Sequence, residues 1–215
     1  MTSIIVPDWP APTGVAAGTT TLATPDDALP AGLRFLNQVH GARVVSAAAV
    51  RAAAEPLDAD AVTGRQPGDI CAVRTADCLP VFFCARDGSE IAAAHAGWRG
   101  LAAGVLENTV AALEAAPQDL LAWLGPAVSQ ANFEVGDEVR EAFVGEDRHA
   151  MAHFLPNDRG RWQADLYGLA RRRLANVGID SVYGINYCTY GEPGRFHSYR
   201  RDPECGRMVS FILLK

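Results

Sequence analysis

The chain has 215 residues, of which 49% are hydrophobic and 20% charged, and a formal net charge of −6. This is a globular composition, and the length favours one domain spanning residues 1–215. The acidic balance argues against nucleic acid as a partner, which requires a basic surface, and apolar runs such as Ile91–Ala96 are too short to cross a membrane.

A short strand is expected at Ser3–Val6. Met1–Pro10 has no basic start and is interrupted by Pro7, Asp8 and Pro10, so no secretory signal is expected. Residues 6–32, rich in Pro, Ala, Gly and Thr, read mostly as loop. Strands follow at Arg43–Ala47, Ile70–Arg74, Val81–Ala85 and Glu90–His95. Asp87–Gly88–Ser89 suits a hairpin turn between the last two. Leu101, Val105, Leu106, Val110 and Leu113 recur at helical spacing and predict a helix over Leu101–Ala115, closed by Pro117. Next come a strand at Leu120–Leu124, a helix at Gly136–Phe143, and a third helix N-capped near Asp165 that turns Leu166, Leu169, Ala170 and Leu174 inward. Strands return at Ser181–Ile185 and Arg207–Leu214. No regular βαβ rhythm appears, so a mixed α/β or α+β architecture is expected rather than a Rossmann sheet.

The five cysteines (71, 78, 84, 188 and 205) are odd in number and scattered. That pattern fits a reducing cytoplasm better than a disulfide framework. Cys71 and Cys84 read as small core hydrophobes. His149 and His153 read as a solvated face.

His95 ends an apolar strand and precedes Ala96–Gly97–Trp98–Arg99–Gly100. An imidazole there stands at a strand end, and the helix start that follows favours an anion, with Arg99 adding a fixed charge. Cys78 lies in Thr75–Ala76–Asp77–Cys78–Leu79–Pro80, where the expected hairpin brings residue 95 opposite the residues just before 81. With His40, in Gln38–Val39–His40–Gly41, these residues form a two-imidazole, one-thiolate set. Such a set suits zinc with one open position, where the metal lowers the pKa of a bound water. The spacing matches no compact zinc motif, and a lone His or Cys is more often structural. The block Phe196–Asp202 reads equally as a surface turn with a solvated charge pair or as an anion site.

In order and spacing, Gln38–His40–Gly41, Thr75–Pro80, His95–Gly100, Leu124–Gly125–Pro126 and Ser198–Tyr199–Arg200–Arg201 resemble the laccase-like polyphenol oxidoreductase family, whose members are also described as purine nucleoside phosphorylases. The resemblance runs from about Asn37 to the C-terminus. It implies an α+β fold of packed mixed sheets flanked by helices. It also implies that His40, Cys78 and His95 bind the metal and carry catalysis, with zinc as the usual metal and copper as the other one such donors take. The implied activities are phosphate-dependent cleavage of adenosine, inosine and methylthioadenosine, and adenosine deamination. Arg99 and Arg200 are the candidates for holding phosphate. The chain departs from the family between Val15 and Asn37, where a Ser-Leu-Asn-Leu-Gly stretch is absent and the interval is short. Relatives draw an Asn and an Arg of the pocket from that region.

Three other readings compete with phosphorolysis. Cys78 with His95, oriented by Asp77 or His40, also suits a cysteine hydrolase, and the resemblance implies a cysteine- or zinc-dependent amidase acting on peptidoglycan precursors, since some relatives are described as editing them. A copper polyphenol oxidase is the second, although a multicopper cluster needs more imidazoles than the five histidines and three methionines supply. A non-catalytic metal-binding module is the third. The expected enzyme is cytoplasmic, a monomer or homodimer, with purine nucleosides and phosphate as its small-molecule partners.

Overall fold

A computed structural model of the chain describes residues 3–184 and 187–215. In chain order the N-terminal half runs through β1 (Ile4–Ile5), β2 (Val15–Thr20), β3 (Val44–Ser46), α1 (Ala47–Ala52), β4 (Ala61–Gly64), β5 (Ile70–Thr75), β6 (Leu79–Ala85) and β7 (Ile91–Ala96). The rest comprises α2 (Trp98–Ala102), α3 (Val105–Ala111), β8 (Leu120–Leu124), β9 (Glu134–Val135), α4 (Asp137–Val144), β10 (Phe154–Pro156), β11 (Trp162–Ala164), α5 (Leu166–Asn176), β12 (Val182–Tyr183) and β13 (Met208–Leu214).

The strands form a six-stranded sheet ordered β12-β8-β6-β7-β4-β3, a four-stranded sheet ordered β1-β2-β13-β5, and a small sheet ordered β10-β11-β9. Every residue of β6, β7 and β8 is buried. A strand covered on both faces reads as a continuous apolar run rather than an alternating one, as Val81-Phe82-Phe83-Cys84 and Leu120–Leu124 do. Leu79, Val81 and Phe83 face one core, packed against α2 to α5. Phe82, Cys84, Ile91, Ala93 and Trp123 face a second core between the two larger sheets, closed by Cys71, Val73, Met208, Ile212 and Leu214. Phe82 stacks on Trp123 with ring centroids 5.4 Å apart. Burying each such side chain contributes about 1.5–3 kcal/mol. The α+β class is therefore realised as helices, a six-stranded sheet and a four-stranded sheet in successive layers.

Several elements differ from the sequence expectation. Residues 6–32 include β2, whose small residues hid it: a Cβ on Gly18 would lie 2.6 Å from the Ile4 side chain and 3.2 Å from that of Phe211. The expected strand Arg43–Ala47 ends at Ser46, whose hydroxyl accepts from the Ala49 N–H and starts α1. The expected helix Leu101–Ala115 is two helices, because Gly104 takes φ +87° between them. The strand expected at Ser181–Ile185 is formed at Val182–Tyr183, and Ile185 lies outside the described residues. No helix among the described residues is long and apolar enough to cross a membrane.

Candidate active site

The β6–β7 hairpin aligns Leu79 with Ala96 and Pro80 with His95. Side chains alternate along a strand, so His95 shares the inter-sheet face with Ile91 and Ala93. Cys78, one residue ahead of β6, lies beside it. His40 arrives from the loop before β3. Its Nε2 is 4.0 Å from Cys78 Sγ, and its ring meets that of His95 edge-on at 4.8 Å between centroids. One donor atom from each of the three residues lies within 4.8 Å of the other two. His95 is buried, Cys78 half-buried and His40 exposed.

A feature missed in the sequence organises the trio. Asp60 is fully buried, and its Oδ1 accepts from His95 Nδ1 at 2.8 Å and from the His40 backbone N–H at 3.0 Å. Its Oδ2 accepts from the N–H groups of Gly41, at 2.7 Å, and Val39, at 3.2 Å. Three successive N–H groups thus cradle one carboxylate. The cradle holds His40 at φ +58°, an uncommon conformation for a residue with a side chain. The contact to His95 Nδ1 leaves Nε2 to face Cys78 and His40, the arrangement usual for a histidine that binds a metal. The only sequence signal for this role was an acidic residue directly before an apolar strand.

A second buried carboxylate fixes the cysteine. Asp77 takes φ +89°. It accepts from Thr189 Oγ1 at 2.6 Å and from the Arg200 N–H at 2.7 Å, while its own carbonyl accepts from the Val128 N–H at 3.0 Å. Positive φ at a bulky residue is strained and persists only where the surroundings enforce it. Here the loops at 127–129, 188–190 and 198–201 do so.

Gly97 leaves the space between Cys78 and His40 open. A Cβ there would lie 2.8 Å from Cys78 Sγ and 3.1 Å from His40 Cδ2. A tetrahedral zinc site places N and S donors about 3.5 Å apart, given metal–ligand bonds of about 2.0–2.3 Å. With donor atoms within 4.8 Å of one another, the trio is a more open version of that arrangement. Two imidazoles and a thiol therefore fit a zinc- or copper-type metal.

Burial opposes ionisation of Cys78, but hydrogen bonds to His40 and His95, and the charge of both rings, outweigh it and bring the thiol down to about 6. Burial likewise opposes charge on His95, yet Asp60 and Cys78 raise that imidazole to about 9. Metal-free protein is thus expected to react with iodoacetamide at Cys78 with a rate that rises through pH about 6. Cys71 and Cys84, whose thiols burial pushes up, should stay inert. Peptide mass spectrometry across pH reads this directly, and a midpoint near 9 would contradict it.

The other residues singled out in the sequence lie as follows. Arg99 is exposed on the first turn of α2, its guanidinium 4.5 Å over the Trp98 ring. Arg200 covers Phe133 and donates to the Glu134 carbonyl at 2.9 Å. Arg201 donates to the carbonyls of Thr189, Tyr190 and Phe196, so this part of the block braces loops. Cys71 and Cys84 are core residues, and His153 lies 3.7 Å from Asp165. The largest cavity described, about 630 Å³, runs along residues 33–37 and 50–57 and is lined by none of the trio.

The sequence pattern described as multi-copper polyphenol oxidoreductase laccase matches residues 11–215. The chain belongs to this family. It is 46% identical over 245 residues to the protein named purine nucleoside phosphorylase YfiH from Escherichia coli (strain K12), with all of both chains covered. It is 43% identical, again over the whole of both chains, to purine nucleoside phosphorylase PA4543 from Pseudomonas aeruginosa. The fold matches the crystal structure of Neisseria meningitidis protein NMB0706 with a TM-score of 0.91, at 41% identity and with both chains fully covered. It also matches the crystal structure of Bacillus licheniformis hypothetical protein YfiH with a TM-score of 0.82 at 26% identity, covering 94% of this chain and 93% of that one. Aligning 215 residues over 245 positions leaves about 30 positions at which this chain has no residue.

Proposed function

We propose that this family member is a metal-dependent purine nucleoside phosphorylase acting on adenosine, inosine and methylthioadenosine, with adenosine deamination as a second reaction of the same site. The observation that carries the reading is the convergence of His40, Cys78 and His95 under the Asp60 carboxylate, in a chain alignable end to end with relatives named for that activity. Zinc is the proposed metal. When bound, it supplies Lewis acidity beside the reacting atoms.

In phosphorolysis a phosphate oxygen bonds to the sugar C1′ while the bond from C1′ to the purine nitrogen breaks, and the base leaves with a proton. The protein must hold the anion in line and stabilise the departing base. Arg99 suits the first task, since it is exposed, close to Gly97 in sequence and anchored on Trp98. The Arg200 guanidinium is partly committed to the Glu134 carbonyl, while its backbone N–H holds Asp77 behind the cysteine. Asp60 holds the proton on His95 Nδ1 and so keeps Nε2 turned toward Cys78 and His40.

A multicopper mechanism fits less well. Of the five histidines only two meet at Cys78; His149 and His153 belong to the segment before β10, and His197 to the loop before β13. The donor inventory is that of a one-metal site.

The test is adenosine turnover by the purified, metal-loaded protein with and without phosphate, with adenine resolved from inosine. Adenine whose release requires phosphate is the expected product, and inosine formed without phosphate would report the deaminase. If neither product forms while a peptidoglycan-type amide is hydrolysed, the amidase reading replaces this one.

A further inference from the structure

β13 turns Met208, Ile212 and Leu214 into the core between the sheets. Alternation therefore sends Arg207 and Val209 to the other side of the strand. There, between β13, the segment after β2 and the 196–207 loop, lies a cavity of about 310 Å³. Its walls include Thr20, Leu29, His197, Arg207 and Val209, and none of the metal-site trio.

Thr21 and Thr24 in its wall spend their hydroxyls on the Ser3 carbonyl, which leaves Arg207, His197 and Thr20 as the side chains able to donate into it. Arg207 uses one terminal nitrogen on the carbonyls of Cys205, at 2.7 Å, and Gly206, at 3.0 Å, which fixes the guanidinium. Its Nε and second terminal nitrogen have no partner among the described residues, and this is the pair of donors that a guanidinium offers to a phosphate. His197 donates its backbone N–H to Met208 Sδ, but neither ring nitrogen has a protein partner among the described residues. The ring fits only because residue 206 is glycine: a Cβ there would stand 2.8 Å from His197 Nε2. Thr20 Oγ1 accepts from the Val209 N–H at 2.8 Å, so its own proton is free to donate. Leu22, Pro25 and Leu29 add an apolar wall of the kind that packs a sugar.

We propose that this cavity binds a phosphate group, either free or carried on a small sugar, between Arg207, His197 and Thr20. The local field agrees with the geometry. Burial, then Arg207 and Arg201, hold the His197 imidazole below its ordinary value, and Asp202 opposes them only in part. Among the other elements around the cavity, Asp27 in the turn at 26–28 is exposed and is not part of its lining. An anion seated beside the ring would neutralise that field and favour the imidazolium.

The experiment follows the His197 ring by NMR in the full-length protein while inorganic phosphate, ribose 5-phosphate or ribose is added, with chloride at matched ionic strength as control. Phosphate is expected to raise the His197 pKa by about one unit. Arg207→Gln, at an exposed position, should weaken phosphate binding about tenfold or more while the spectrum stays folded. Tighter binding of ribose 5-phosphate than of phosphate would assign the apolar wall to the sugar, and equal binding would assign the site to the free anion. No shift with either ligand, an equal shift with chloride, or unchanged affinity in Arg207→Gln would overturn the proposal. Binding is read without nucleoside, so it succeeds or fails independently of turnover at the metal site.

Discussion

Cys78→Ala is expected to lower phosphorolytic turnover by about a hundredfold or more and to reduce bound metal below one equivalent, with little loss of fold. The thiol is the one sulfur donor in the trio, and its removal leaves two imidazoles whose ring nitrogens face an empty corner. It is only half-buried and precedes β6 rather than filling a core, so truncation should cost stability by no more than about 1 kcal/mol. Metal content by mass spectrometry, turnover and thermal unfolding on the same preparation separate the two effects. Turnover within threefold of the parent protein would remove Cys78 from the site. Alkylation of the metal-loaded parent protein separates ligand from nucleophile. A cysteine serving as a metal ligand is protected from alkylation in the loaded protein, whereas an amidase nucleophile stays reactive.

Asp60→Asn should be costly twice over. The carboxylate accepts four hydrogen bonds inside the protein, three from backbone N–H groups and one from His95. An amide keeps one acceptor oxygen and turns an NH₂ group toward donors, a change worth about 3 kcal/mol. For a chain of this length that corresponds to a fall in Tm of about 10 °C. Losing the hold on His95 Nδ1 should also weaken metal binding about 10- to 100-fold. The stability difference should depend on pH. Burial opposes ionisation of Asp60, but the hydrogen bonds to His95 and the backbone, with the charge of His95, keep its carboxyl below the ordinary value. The stabilisation is thus complete above the carboxyl's unfolded value and fades as pH falls through the lowered folded one. Parent and variant, compared in chelator, should therefore converge in acid. A gap that widens in acid would show that Asp60 does not work through its charge.

The parts of the fold legible in the sequence were those set by local rules. Asp87–Gly88–Ser89 announced the β6–β7 hairpin, with Gly88 at φ +78°, and through it the meeting of Cys78 and His95. Leu120–Leu124 was legible because an apolar run of that length suits a buried strand. β2 was not, since its Val-Ala-Ala-Gly-Thr-Thr sequence has weak strand propensity, and its pairing with β13 joins residues nearly two hundred positions apart. Thr189 was equally silent, and Asp60 was marked only by its place before an apolar strand. Their roles come from backbone N–H groups and a hydroxyl delivered by distant loops, and no spacing within one segment records such a partnership.

The three candidate ligands sit on backbone of unequal firmness. His95 belongs to a strand that is paired on both sides and buried along its length, and Cys78 is pinned through Asp77 by three loops. His40 stands on an exposed loop held by the Asp60 carboxylate and by Gln38, whose side chain exchanges two hydrogen bonds with the Arg74 backbone. Native-state opening begins where few buried contacts must break, so the His40 arm can swing out while the sheet stays closed. An ion at the proposed centre is then expected to leave at a rate set by the lifetime of the Asp60 cradle, with exchange of one metal for another proceeding from the folded protein.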